Sequence, residues 1–134
     1  MYLVDTNIWL EQLLAQAKSS EVAYFLNRIP SNQLFITDFA FHSICVIMTR
    51  LQRAPILLEF IKDIFIDGSV SMISILPDET STIINAMQDF RLDFDDAYQY
   101  VAADRYDLLI VSFDSDLNRT PQGRKTPAEV VMAL

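Results

Sequence analysis

The sequence predicts a single α/β domain over residues 1–134, with a mostly parallel central sheet of four to five strands flanked by helices on both faces. Two observations lead to it. Short apolar segments alternate along the chain with stretches whose apolar residues recur every three or four positions. One of these segments, Leu108–Val111, is continuously apolar, the pattern of a strand buried on both faces of a parallel sheet. No repeat, low-complexity tract or linker interrupts the order, so one domain is expected.

The elements follow from left to right. Tyr2–Asp5 reads as a short strand ending in a carboxylate, and Asn7–Gln16 carries Ile8, Leu10, Leu13 and Leu14 at helical spacing. Ser19-Ser20 caps a second helix with Val22, Ala23, Phe25, Leu26 and Ile29 on one face, stopped by Pro30-Ser31-Asn32. Leu34–Ile36 is the next strand, and Thr37 caps a long helix over 38–52. Pro55 opens a further helix that stops at Asp67-Gly68 and forms a hairpin with its predecessor. Val70–Leu76 alternates as a strand does, and Pro77-Asp78-Glu79 places acids in the first turn of the helix that follows. Asp95–Arg105 is one more helix. Asp107–Phe113 is the buried strand that runs into Asp114, and a short helix begins at Thr126 or Pro127.

Composition excludes several chemistries. With only Gly68 and Gly123, far apart, neither a GxGxxG nor a Walker loop can form, and a GxSxG elbow fails on the same count. One cysteine, Cys45, and one histidine, His42, leave no CxxC, HExxH or two-histidine zinc site. Cys45 in its apolar run fits a reducing compartment. The opening MYLVDTNIWLEQ lacks the basic and apolar regions of an export signal, and no apolar stretch is long enough to span a bilayer, so a cytoplasmic protein is expected. The net charge of −8 opposes a nucleic-acid backbone unless a local basic patch or metal ions intervene.

In parallel α/β sheets, ligands bind at the carboxyl ends of strands near a topological switch point. Two strands here end in aspartate. If they lie side by side, Asp5 and Asp114 emerge at one edge, close enough for both to face one cation. Asp95 and Asp96 stand at a helix N-terminus, which holds carboxylates ionised. Taken singly, Asp5 caps a helix, Asp114 opens a turn, and one of the Asp95-Asp96 pair serves as a cap. Taken together, clustered acids repel one another unless a divalent cation neutralises them, and carboxylate oxygens are the hard ligands that Mg²⁺ or Mn²⁺ takes. Phosphodiester hydrolysis is the chemistry such a site suits.

These residues resemble a known family. LVDTNIWLE near the start and LDFDDAYQYVAADRYDLLIVSFDSDL near the end, at their observed separation, look like a PIN domain, the fold of VapC-like toxin ribonucleases. The resemblance covers nearly the whole chain. It implies an acid-lined metal site that cuts RNA, with Asp5, Asp96 and Asp114 as the catalytic and metal-holding acids and Asp116 as a more variable fourth acid. It assigns Asn7 and Ser112 to orienting the carboxylates. One departure stands out. Where the family pattern S-x-x-T-L-x-E-L has its glutamate, this chain reads T-D-F-A-F-H-S-I, and Ser43 stands in that place, a neutral and weak Mg²⁺ ligand. Asp38 and His42, four residues apart on one helix face, could present a carboxylate and an imidazole to the cleft as substitutes; the reading favoured over this makes Asp38 a helix-start acid and His42 a partly buried polar residue.

For substrate contacts, Arg119, Arg124 and Lys125 in NRTPQGRK follow the acids directly, with Arg50 and Arg53 as a second group. Trp9, Tyr98 and Tyr100 are candidates to stack bases or, alternatively, core residues. The apolar excess in Phe35–Met48 and Ile56–Ile66 suggests a homodimer or higher homo-oligomer, or a bound peptide. In the family, such helices pack against an antitoxin and a second copy. The expected function is a metal-dependent endoribonuclease, the toxin of a toxin–antitoxin pair, with RNA as substrate and no membrane partner. The alternative is a catalytically weak or inactive PIN-fold module that binds nucleic acid or protein. A phosphoacceptor signalling domain ranks last, because its lysine after a late strand is missing from SFDSD.

Overall fold

The computed structural model describes residues 1–134 as four strands and seven α-helices. The strands β1 (Tyr2–Val4), β2 (Leu34–Thr37), β3 (Ser71–Ile73) and β4 (Leu109–Val111) form one sheet in the order β3-β2-β1-β4. Every pairing is parallel; Leu3 lies between Phe35 and Ile110 in register. The order explains the wrapping. Moving from β1 to β2 to β3, the chain crosses one face through α1 (Thr6–Leu13), α2 (Ser19–Arg28), α3 (Asp38–Arg50) and α4 (Ala54–Ile61). It then reverses, returning through α5 (Thr80–Phe90) and α6 (Phe94–Arg105) on the other face to set β4 beside β1. The switch point therefore falls between β1 and β4, at the two strands that end in aspartate.

Side-chain alternation along the strands divides the core. Val4, Ile36 and Val111 point to the face covered by α1 to α4 and α7 (Pro127–Met132), where they meet Trp9, Phe25, Ile44 and Met48. Leu3, Ile73 and Ile110 point to the opposite face, against Ala102 and Ala103 of α6. A further cluster joins α5 to α6 through Ile83, Ala86, Ala97 and Val101.

The sheet has four strands, and the position of a fifth is taken by a single residue. Lys125 bridges to Val111 at the free edge of β4, its N–H donating to the Ile110 carbonyl. The strand expected over Val70–Leu76 shortens to three residues because it is the opposite edge, with Ser71 and Met72 exposed. Two helices also depart from regular form. Pro77–Glu79 is a 3₁₀ turn leading into α5, and α4 continues as a π-helical turn, Lys62–Ile66. Gly68 closes that turn; a Cβ there would lie 2.7 Å from the Asp63 carbonyl oxygen.

Candidate metal centre

Thr37 and Asp93 place the two helices that frame the site. The Thr37 hydroxyl caps α3 by accepting the Ala40 N–H at 3.0 Å, and Asp93 caps α6 by accepting the Asp96 N–H at 2.8 Å. The cap of α6 was expected of Asp95 or Asp96. Because Asp93 takes that duty, both are left in the first turn, where the helix N-terminus favours negative charge.

A cleft of about 290 Å³ opens at the carboxyl edge of the sheet, lined by Asp5, Asn7, Ser43, Asp96, Gln99 and Asp114 among others. Asp5 is buried and caps α1 by accepting the Thr6 N–H. Its first oxygen also accepts from Gln99 Nε2 at 2.9 Å, and its second from Ser112 Oγ at 2.7 Å and, more weakly, from Asn7 Nδ2 at 3.5 Å. The partners are themselves fixed. Gln99 Oε1 accepts from the Thr37 hydroxyl at 2.7 Å, so the caps of α1 and α3 are joined through one amide. Ser112 Oγ accepts from Asn7 Nδ2 and the Asp114 N–H, while Asn7 Oδ1 accepts from the Phe113 N–H. The β1 and β4 ends are thereby held in one network.

Asp96, Asp114 and Asp116 form the tightest group. Each offers a carboxylate oxygen, and these oxygens lie within 4.8 Å of one another. Asp114 caps the 3₁₀ turn Ser115–Arg119 by accepting the Asp116 N–H, which turns Asp116 back toward it. Asp5 lines the same cleft but stands outside that group of three, its oxygens occupied by the four donors above.

The electrostatics express the crowding. Asp96 is pushed from 3.8 up to about 8, first by desolvation, then by the hydrogen bond and charge of Asp114, with smaller contributions from Asp93 and Asp5. Burial also drives Asp5 upward against the hydrogen bonds from Gln99, Ser112 and the Thr6 N–H, and Asp114 adds to the rise. Asp95 rises through burial and the charge of Asp93. A site that must retain a proton to relieve carboxylate repulsion has the oxygen donors and charge that a hard divalent cation satisfies, so these residues fit such an ion.

Other expected site residues lie elsewhere. Ser43 does line the acidic cleft. Asp38 and His42 do not; they line the neighbouring depression beyond Phe39, because Asp38 accepts from the Tyr98 hydroxyl at 2.7 Å and the Phe39 N–H at 2.8 Å. Arg119 pairs with Asp116 at 2.8 Å and donates to the Arg91 carbonyl, which makes it a neighbour of the acids rather than a free cation. Arg124 pairs with Glu129 at the capping box of α7, and Lys125 is exposed at the sheet edge. Arg50 and Arg53 lie at the far end of α3, about 20 Å along a helix that starts at the cleft. Trp9 is buried with its indole N–H on the Val4 carbonyl and Tyr98 is buried with its hydroxyl on Asp38, so neither is free to stack bases, while Tyr100 is half-buried against Phe90. Gln99 was missed by sequence reasoning. A glutamine inside a helix carries no signal of burial, and its two partners are 62 and 94 residues away.

A PIN domain family model matches residues 2–123. The chain belongs to the PIN domain family. No curated protein matches the sequence. Among solved structures, this PIN domain superposes on a chain of a toxin–antitoxin complex from Klebsiella pneumoniae with a TM-score of 0.76 at 19% identity, covering 96% of this chain and 99% of the other. FitAcB from Neisseria gonorrhoeae gives a TM-score of 0.73 at 15% identity over 95% and 98% of the two chains. PAE2754 from Pyrobaculum aerophilum gives 0.65 at 15% identity over 98% and 93%. At such identities the likeness is one of fold. No helix is long and apolar enough to cross a membrane.

Proposed function

We propose that this PIN domain is a metal-dependent endoribonuclease, the toxin of a toxin–antitoxin pair, hydrolysing RNA phosphodiester bonds. The observation that carries the reading is the convergence of Asp96, Asp114 and Asp116 at the β1/β4 switch point. Asp5, Asp96, Asp114 and Asp116 would hold Mg²⁺ or Mn²⁺, which when bound would supply a water of lowered pKa and stabilise charge on the phosphoryl oxygens. Asp5 faces the same cleft and, tied to Gln99, Ser112 and Asn7, keeps the ends of β1 and β4 at fixed separation. Ser112 orients Asp114 through the backbone N–H of that residue, so the acids are set before substrate arrives.

The partner reading has its own support. Two of the structural neighbours are a toxin–antitoxin complex and FitAcB. An apolar groove of about 310 Å³ between α1, α2 and α4 is lined by Trp9, Leu13, Leu26, Phe60, Ile64 and the exposed Ile56. This is the face we assign to an antitoxin or to a second copy in a homo-oligomer. The second function reading, a binding module without catalysis, is favoured by one observation, the hydroxyl of Ser43 in the cleft.

The test incubates a mixed RNA pool with wild type, Asp96→Asn and Asp114→Asn in Mn²⁺ or Mg²⁺. Cleavage by wild type that falls by at least about a hundredfold in both variants, with circular dichroism unchanged, supports the nuclease. Absence of metal-dependent cleavage by the folded wild type removes it in favour of the binding module. The same pool assayed with the neighbouring reading frame's product co-purified tests the partner, through inhibition or its absence.

A further inference from the structure

The acidic cleft is one of three contiguous depressions. On one side it shares Asn7 and Leu10 with a groove of about 500 Å³, and on the other it shares Phe39 with the depression that holds His42 and Tyr98. A polyanion following this path meets a chain with a net charge of −8 and needs a cation close to the acids. Most of the ten Lys and Arg residues are not free for it: Lys62, Arg105 and Arg124 are in ion pairs with other carboxylates, Arg119 stands beside the acids but is paired with Asp116 itself, and Arg50 and Arg53 are distant. Lys18 alone among lysines and arginines lines the cleft or either adjoining depression.

Its placement is specific. Lys18 Nζ stands 4.6 Å from the centroid of the Phe113 ring, and Phe113 directly precedes Asp114 and donates its N–H to Asn7. The aromatic face therefore holds the ammonium at a fixed offset from the acids while leaving N–H donors for an anion. The Glu11 carboxylate in the same groove accepts the Lys18 backbone N–H and makes no ion pair with the side chain.

We propose that Lys18, seated on Phe113, binds a backbone phosphate of a single-stranded nucleic acid that runs from this groove across the acids toward Phe39. Lys18 is then a positioning residue for the strand, and the NRTPQGRK loop is not the main phosphate contact. This inference rests on the nuclease reading for its substrate class, and its test is independent of cleavage.

The test measures binding of fluorescent single-stranded ribo- and deoxyribo-oligonucleotides by anisotropy over a salt series. It is done in the Asp96→Asn background, which removes turnover. Adding Lys18→Met is expected to weaken binding about three- to tenfold and to make the log K against log salt slope shallower by about 0.7, the share of one phosphate on a single strand. Lys18→Arg should restore both, which loss of packing alone would not. The ribo and deoxyribo arms show which backbone is preferred. An unchanged Kd and slope in Lys18→Met overturns the proposal, as does loss confined to Lys125→Met or failure of the background protein to bind either oligonucleotide. Wild-type cleavage with a neutral Lys18→Met sinks this inference alone, whereas Lys18-dependent binding in a protein that never cuts keeps the path and sinks the nuclease.

Discussion

Ser43 stands in the acidic cleft as a hydroxyl, where the related pattern carries a glutamate. Replacing it by glutamate adds a carboxylate oxygen to the donors of Asp96, Asp114 and Asp116, and charge count is what tunes the affinity of such sites for hard cations. Ser43→Glu is therefore expected to tighten Mn²⁺ binding by about tenfold in calorimetry; unchanged or weaker binding would show that position 43 does not face the ion. Strand ends are fixed points in an α/β fold, so Asp5 and Asp114 could be assigned to one edge from pattern alone, whereas the choice of Asp96 over Asp95 came from the resemblance to the PIN pattern. Gln99, Asp93 and Lys18 were not legible. Gln99 acts through partners distant in sequence, Asp93 competes with two adjacent acids for one cap, and Lys18 gains its meaning from a ring 95 positions further on, at Phe113. Of the loop cations expected at the substrate, Arg124 is paired with Glu129 and Arg119 with Asp116 in the folded chain, while Lys125 is exposed.

At the scale of elements, a chain with two glycines must end its helices by other means. Ala15, Gln52, Arg91 and Asp107 all adopt positive φ, and each follows a helix. After α3, Gln52 has φ 58°, the Gln52 N–H donates to the Thr49 carbonyl, and the Arg53 N–H donates to the Met48 carbonyl. This is a left-handed helix stop with a side chain where glycine is the unstrained residue. Gln52→Gly should stabilise the protein by about 0.5–1 kcal/mol, read as a higher urea midpoint with an unchanged slope. A lower midpoint would mean that the exposed side chain contributes more than its backbone strain costs. Element positions were largely readable from caps and breakers: Thr37, Pro55 and Thr126-Pro127 mark helix starts where the structure has them or within one residue. Lengths were less so. The edge strand β3 loses residues because nothing pairs with its outer side, a property of its place in the sheet rather than of its sequence.

For the whole molecule, the cleft couples stability to pH and to cations. Asp96 rises from 3.8 to about 8 in the folded chain, so between those values the folded state holds a proton that the unfolded state has released. Stability from this group is fully present below about pH 4 and is lost as pH climbs through about 8. The upward shifts of Asp5 and Asp95 act with the same sign. Glu129, lowered by the Thr126 cap, acts with the opposite sign, and its contribution disappears only as pH falls below the ordinary carboxylate range. The net expectation for the metal-free protein is a melting temperature that falls from pH 5.5 to pH 8.5. Asp96→Asn, which has no proton to lose, should flatten that fall. A divalent cation reverses the balance, because it binds the ionised acids of the folded state and competes with the retained proton. Millimolar Mn²⁺ should therefore raise the melting temperature more at pH 8.5 than at pH 5.5, and the difference should shrink in Asp96→Asn. Thermal scans in EDTA and in Mn²⁺ at the two pH values decide the matter. A metal-free stability that rises toward pH 8.5, or a Mn²⁺ gain independent of pH, would show that the proton is not held between Asp96 and Asp114. If the proposed metal centre holds, the repulsion that weakens the metal-free protein is what a bound divalent cation would relieve.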